Sequence, residues 1–390
     1  MHGTSLYEDF VKPFCEPNDR IPYFMWIPAM QILLNYVGPK VTIKMKSFRG
    51  SLYTVLIGRK GQTHKSDSCR DAMKYFEYAG LLQHYSKDVR SAEGKCVTFT
   101  AGSPEGLGMQ MEATSCKNVI LYYDELSQLI AKASIESSTM LSALLLMYES
   151  QKFENGTKSK KQNYSLEPGS YCTSLISCTT KKKFAEQWSK LAGSDTGLDD
   201  RFTFILQPIE LPQRRIFRQV NFMNGAAKTR ALVEKAINQS QYEIETFDHP
   251  GLMKLNAIDS RYAIRAEKWA LGLAIDLGLS SIDDDCIERA VAIVDYEIAT
   301  KKFLRSYEAV TKEGGIQQEV ARQLEMAGGT LNKRDLMRVM NYRQYGTTLW
   351  NMAYGGLMKF GDIREEGSGA KGDPIMVRLM RARDFDDDGD

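Results

Sequence analysis

At 390 residues the chain is too long for one ordinary core and calls for two or three domains. Apolar residues at 43% and charged residues at 26% are ordinary globular proportions, and a net charge of +2 means that any basic surface must be local. The seven cysteines are scattered without a C-x-x-C pair and histidines number only four. Those counts argue against a disulfide framework, a zinc centre or a His-rich metal site. No apolar run approaches the roughly 20 residues of a membrane span, and no secretion signal is evident. A cytoplasmic protein is expected.

Residues 1–50 read as a helical lead-in, with aromatic and aliphatic side chains in Tyr23–Tyr36 at helical spacing. Pro22 and Pro28 argue against one continuous helix there. Residues 51–210 alternate apolar runs with helical stretches, the pattern of a parallel sheet flanked by helices. Strands are predicted at Tyr53–Ile57, Cys96–Thr100, Asn118–Tyr123, Tyr171–Ser177 and Phe202–Leu206. Residues 211–312 read as a helical lid or linker, with one apolar face in Ala263–Leu277 and another in Ile287–Phe303. Residues 313–383 form a smaller unit of three helices and two short strands joined by the glycine-rich turn at 367–372. The end, 384–390, is almost wholly acidic and is predicted to be disordered.

The first predicted strand runs into Gly58-Arg-Lys-Gly-Gln-Thr-His-Lys65-Ser66 and then a helical stretch. A glycine-bearing loop between a strand and a helix lets backbone N–H groups and the helix N-terminus surround a polyphosphate. Gly58, Gly61, Gln62, Thr63 and His64 would line that cradle. Lys65 would reach the β- and γ-phosphates of ATP, and Ser66 would ligate Mg²⁺. The loop departs from G-x-x-x-x-G-K-[ST] in two ways: Gly58 lies one residue too far from Lys65, and His64 stands in place of the second glycine. Alone, the segment also reads as a basic surface turn. The third strand ends in Asp124-Glu125, where Asp124 would hold Mg²⁺ through water and Glu125 would polarise the attacking water. Alone, that pair also reads as acids favouring a helix N-terminus. Their order and separation together point to nucleotide hydrolysis.

These motifs, with Leu6–Phe10 through Trp26 and Gly102-Ser-Pro-Glu-Gly-Leu107, resemble a family of phage and mobile-element ATPases found in primase–helicase proteins. More distantly they are similar to the AAA+ core of the minichromosome-maintenance helicases. The fold expected from the resemblance is α/β: an AAA+-like P-loop NTPase with N-terminal helices, a helical lid and a C-terminal winged helix. Gly197-Leu-Asp-Asp-Arg201-Phe202 is similar to the helicase motif whose arginine enters a neighbouring subunit's ATP site. There Arg201 would meet charge spread over the γ-phosphoryl oxygens. An arginine pairing locally with Asp199 or Asp200 is the plainer reading. The resemblance implies a homo-oligomeric ring, a hexamer. It also implies a γ-phosphate sensor at Thr179 and a lid arginine at Arg265, with Arg261 the alternative.

Lys158, Lys160 and Lys161 occupy a polar loop, Glu154–Pro168, where the resembled helicases carry a channel hairpin that follows single-stranded DNA. A solvated loop explains them equally well. Residues 315–383 hold 11 Lys and Arg against 7 Asp and Glu, a net +4. As a winged helix this unit would offer Lys333, Arg334, Arg338, Arg343 and Lys371 to duplex DNA. The leading expectation is an ATP-driven DNA helicase or translocase of a phage or mobile element, with a primase or another replication protein as a possible partner. The alternative is a replication initiator or loader, in which ATP binding switches assembly without processive unwinding. A small-molecule kinase fits poorly with Asp124-Glu125, the late Arg201 and the C-terminal unit.

Overall fold

A computed structural model describes residues 1–390 apart from 19, 45, 47–49, 85–95, 101–102, 114–116, 134–138, 156–162, 182, 185–187, 189–196, 209–219, 221–222, 306–311, 360–361, 371–372 and 381–390. The chain divides into two compact units, Met1–Thr300 and Lys301–Asp390.

The first unit opens with a π-helical turn, Tyr7–Val11, leading into α1 (Lys12–Asn18). Helix α2 (Pro22–Val37) then runs unbroken through Pro28, against the sequence expectation. Pro22 sits in its first turn, where a missing N–H costs nothing. Thirteen of its 16 residues are buried, so packing on every face outweighs the hydrogen bond that Pro28 removes. A short strand β1 (Thr42–Ile43) precedes β2 (Tyr53–Ile57) and α3 (Lys65–Tyr78). Next come β3 (Leu82–His84), β4 (Cys96–Phe99), α4 (Pro104–Ala113), β5 (Asn118–Tyr123), α5 (Leu126–Ala133) and α6 (Met140–Tyr148). The antiparallel pair β6 (Phe153–Asn155) and β7 (Tyr164–Leu166) follows, then β8 (Cys172–Thr179) and β9 (Phe202–Leu206). After α7 (Met223–Gln239), β10 (Gln241–Tyr242) pairs with β1. Helices α8 (Pro250–Ile258), α9 (Ser260–Leu277) and α10 (Asp284–Arg305) complete the unit, the last running on past Thr300.

The central sheet is wholly parallel in the order β3-β4-β5-β8-β2-β9. Four of the five predicted strands differ by no more than a residue or two at one end, and β8 extends to Thr179. Every residue of β2 and β8 is buried, as expected for strands covered on both faces. From β2 the chain crosses to the far edge, fills the sheet back to β8, and then places β9 on the other side of β2. The order therefore switches at β2, and ligands of such sheets bind beyond the carboxyl ends of the strands at that point.

Helix α2 is fixed to the sheet by two buried amides. Gln31 Nε2 donates to the carbonyls of Leu52 at 2.6 Å and Leu175 at 2.8 Å. Asn35 Nδ2 donates to Val119 at 3.1 Å and Cys172 at 3.2 Å. Its outer side meets α9, where the Trp26 and Trp269 rings stack 6.1 Å apart. One continuous core thus reaches from Leu6 to Val294. The lead-in, the sheet and the helices after residue 223 belong to the same unit, which the reading by segments did not anticipate.

The N-terminal turn docks through Asp276 of α9, whose Oδ1 accepts from Leu6 N at 2.9 Å. Burial pushes the Asp276 carboxyl up to about 7, against the lowering effect of the Leu6 N–H. A carboxyl whose folded value exceeds its unfolded value costs stability as pH rises from the unfolded value to about 7, and the cost is constant above that. Asp276→Asn should therefore raise Tm at pH 8, and the gain should vanish as pH falls towards 4, the ordinary carboxylate range. Thermal unfolding of both proteins across that interval checks it; a gain independent of pH would refute the assignment.

The second unit runs α11 (Lys312–Met326), β11 (Thr330–Asn332), α12 (Lys333–Val339), a 3₁₀ turn at Tyr342–Tyr345, α13 (Thr347–Lys359), β12 (Ile363–Glu366) and β13 (Met376–Leu379). Its strands form an antiparallel sheet in the order β11-β13-β12 around a core of Ile316, Val320, Leu324, Leu336, Trp350 and Val377. Gly367 opens the β12–β13 turn at φ +100°, where a Cβ would stand 2.4 Å from the Pro374 carbonyl oxygen, so only glycine fits.

Candidate phosphate-binding site

Strand register gathers the carboxyl ends at one edge of the sheet. Ile57 pairs with Thr179 and with Leu206, and Tyr123 pairs with Ser177. The segments Gly58–Lys65 and Asp124-Glu125, together with Thr180 and Gln207, therefore leave the sheet side by side. The loop after β2 is closed by Gly58 N donating to the Thr179 carbonyl at 3.1 Å, Arg59 N to Gln207 Oε1 at 2.6 Å, and Thr63 Oγ1 to the Arg59 carbonyl at 3.0 Å. A Cβ on Gly58 would lie 2.7 Å from Thr63 Oγ1, and Thr63 is buried. Gly58→Ala should thus displace the loop while the sheet persists, measurable as a lowered Tm with unchanged circular dichroism.

Gly61 takes φ +69°, and His64, the residue before the helix, takes the left-handed φ +49°. That conformation is why glycine suits this position. His64 Nδ1 lies 3.1 Å from Asp67 Oδ2, a local contact that offsets part of the backbone cost. Lys65 opens α3 with 7% of its surface exposed and donates to the Gly58 carbonyl at 3.1 Å. Burial lowers its pKa, while Cys178, Glu125 and Asp124 act in the opposite direction. The two carboxylates are thus close enough to act electrostatically on Lys65. Ser66 follows in the first turn of the same helix.

Asp124 accepts from Tyr122 OH at 2.8 Å and lies 3.8 Å from Arg70. Glu125 accepts from Lys183 Nζ at 2.9 Å. Arg70, Lys183, Tyr122 and Gln207 escaped the sequence reading. Arg70 sits within the helix after Lys65 and Lys183 ends a run of three lysines, so neither carries a signature without the sheet. Thr179, the proposed sensor, is buried at the end of β8 and pairs with Ile57.

Arg201 and Arg265 lie elsewhere. Arg201 immediately precedes β9, whose first residue pairs with Tyr53 at the start of β2. It is therefore at the amino end of the sheet, about 16 Å from the phosphate loop for a five-residue strand. Arg265 is 1% exposed, forms an ion pair with Glu297, and donates to the Asp200 carbonyl. It is part of the interior at that same end and does not join the phosphate loop, which corrects the expected lid role. Arg261, the alternative, pairs with Asp200 at 2.8 Å. Glu297 also accepts from Thr203 Oγ1 at 3.0 Å. Removing one partner of such a pair leaves a buried charge, so Glu297→Ala should cost about 3–5 kcal/mol in chemical denaturation. A loss below about 1 kcal/mol, the scale of an exposed pair, would refute it.

In the second unit Lys333 is held by Glu365 at 2.5 Å and lies over the Tyr354 ring, so its side chain is part of the fold. Arg338 is 79% exposed beside Asp335, and Arg334 and Arg343 are exposed as well. Lys158, Lys160, Lys161, Lys371 and the acidic end fall outside the described residues, although β6 and β7 form the two strands that flank the lysine loop.

The site and the sheet define a mixed α/β protein with a helix-opening loop at the switch point of a parallel sheet. Among the described residues no helix is long and apolar enough to cross a membrane. No protein-family model matches the chain, and no curated protein does. Among solved structures it is similar to the ORC2 protein of Aeropyrum pernix. Against the ADPNP–ADP complexes the identity is 13%, covering 95% of this chain and 93% of that one, with a TM-score of 0.33. Against the ADP form the identity is again 13%, covering 97% and 96%, with a TM-score of 0.29.

Proposed function

We propose that the chain is a P-loop ATPase of DNA replication in which nucleotide state switches assembly on DNA, the initiator or loader type. The observation that carries the ATP site is the meeting of Lys65, Ser66, Asp124 and Glu125, just beyond the carboxyl ends of β2 and β5, with Thr179, the last residue of β8. The donors there suit Mg²⁺, which prefers hydroxyl and carboxylate oxygens: Ser66 lies in the first turn of α3 and the Asp124 side chain is 49% exposed. Bound Mg²⁺ would neutralise charge between the β- and γ-phosphates, and Lys65 would add a fixed cation beside it.

A switch is favoured over fast turnover because Glu125, the candidate base, is held by Lys183, and because His64 replaces glycine in the loop. DNA contact is assigned to the second unit. Its helix–strand–helix–helix–strand–strand order is that of a winged helix, and Arg334, Arg338 and Arg343 are its described candidates. The motor reading has one observation in its favour: the β6–β7 pair just before β8, flanking Lys158, Lys160 and Lys161, is where a channel hairpin would stand in a ring.

Steady-state ATP hydrolysis with and without single-stranded DNA, alongside strand displacement, tests both. Slow hydrolysis with DNA binding and no unwinding supports the switch. DNA-stimulated hydrolysis with strand displacement transfers the conclusion to the motor. Absence of nucleotide binding defeats both.

A further inference from the structure

We infer that Tyr122 is a positioning residue for Asp124: its hydroxyl occupies one carboxylate oxygen so that the other is left to the water shell of Mg²⁺. The inference rests on the proposed reading of Asp124 as the carboxylate that holds the metal. Asp124 directly follows the last residue of β5, and its side chain is 49% exposed. A carboxylate so open, on a short single-bonded stem, would turn between rotamers and offer its two oxygens in turn. Here it is fixed. Tyr122 OH donates to Oδ1 at 2.8 Å, and Arg70 Nη1 stands 3.8 Å from that same oxygen. Among the described residues no hydrogen bond falls on Oδ2.

The phenol can hold Asp124 because it is itself held. Tyr122 has Ile176 of β8 as its register partner, its carbonyl accepts from Thr100 Oγ1 at 2.8 Å, and its ring packs against the core. Side chains two residues apart in an extended strand fall on one face. Tyr122 and Asp124 therefore share a face, the one from which Arg70 of α3 approaches. Tyr123 between them points to the opposite face, where Lys132 Nζ of α5 lies 5.5 Å from its ring centre.

Arg70 is the reason such a hold matters. Its Nη2 donates to Asp67 Oδ1 at 2.6 Å, and Asp67 also meets His64 at 3.1 Å and Arg20 at 3.5 Å. Arg70 is thus kept on its own helix, and 3.8 Å is too long for a hydrogen bond to Asp124. A guanidinium prefers to take both oxygens of a carboxylate. Released from Tyr122, Asp124 would turn both oxygens to Arg70, which would neutralise the charge that attracts a divalent cation. A phenol takes one oxygen and leaves that charge in place, because it is a neutral donor.

The test reads metal affinity apart from turnover, on the full chain, for wild type, Tyr122→Phe, Asp124→Asn and the Tyr122→Phe/Arg70→Gln double variant. With a saturating non-hydrolysable ATP analogue, the Mg²⁺ concentration at half of the metal-dependent rise in Tm is measured. Electron paramagnetic resonance of Mn²⁺ gives binding directly on the same complexes. Tyr122→Phe should need about ten to a hundred times more metal, the scale for a group that orients a metal ligand. It should bind the analogue as wild type does in EDTA, with its metal-free Tm little changed, and keep its kcat for ATP once Mg²⁺ saturates. Adding Arg70→Gln should recover most of the lost affinity, a rescue that a tyrosine serving only to pack would not show. Loss of affinity in Asp124→Asn but not in Tyr122→Phe overturns the role of Tyr122 alone. A loss in Tyr122→Phe that Arg70→Gln leaves in place overturns it as well. Undiminished affinity in Asp124→Asn overturns the reading of Asp124, and the inference with it.

Discussion

Lys65→Ala is expected to lower ATP hydrolysis at least about a hundredfold, the scale of removing one fixed electrostatic contact to a transition state. It should also abolish the rise in Tm that ATP confers on wild type, because a ligand stabilises only the state that binds it. The protein should still fold. Lys65 is 7% exposed and burial disfavours its charge, so the cation is a cost that the fold carries for the sake of the loop. Removing it should leave the nucleotide-free Tm near wild type or slightly above. Differential scanning fluorimetry with and without ATP, beside a coupled hydrolysis assay, separates loss of the site from loss of the fold. Undiminished hydrolysis would remove Lys65 from the mechanism and leave the loop as a surface turn.

The second large effect concerns Arg201. Arg201→Ala should bind ATP normally and lose hydrolysis by a factor within roughly 10³–10⁵, the range for arginines that reach a phosphoryl group. The amino end of β9 is too far from the loop after β2 for Arg201 to serve its own chain. Each defective protein therefore keeps what the other lacks. An equal mixture of Lys65→Ala and Arg201→Ala proteins should recover about a quarter of the wild-type rate, the share of head-to-tail contacts that join an intact Lys65 to an intact Arg201. Recovery on mixing is the signature of a shared site. No recovery, with both proteins folded and assembled, would return Arg201 to the structural pairing with Glu149 that it makes within the chain.

Much of the sheet was readable because buried parallel strands announce themselves as short β-branched and aromatic runs. Tyr53–Ile57, Asn118–Tyr123 and Phe202–Leu206 stand where their sequences put them. The three-residue edge strand Leu82–His84 is too short to show a period. Helix α2 defeated the local rule for proline because its environment, a sheet on one side and α9 on the other, is supplied by residues far along the chain. The second unit repeats the lesson at Lys333. Its place at the head of a helix is local information, but its engagement with Glu365 and Tyr354 comes from two elements that the sequence does not join to it.

The sequence by itself determined five strands of the central sheet, the loop from Gly58 to Ser66 and the acids that follow β5, since each is written in contiguous residues whose burial and backbone preferences are local. The tertiary structure alone decided which distant charges meet. It set Lys183 on Glu125 across 58 residues, buried Arg265 against Glu297, and put Arg201 at the end of the sheet away from Lys65. Those outcomes follow from strand order and helix docking: beyond the three- and four-residue spacings of a helix, as in His64 and Asp67, chain separation does not encode the distance between two charges.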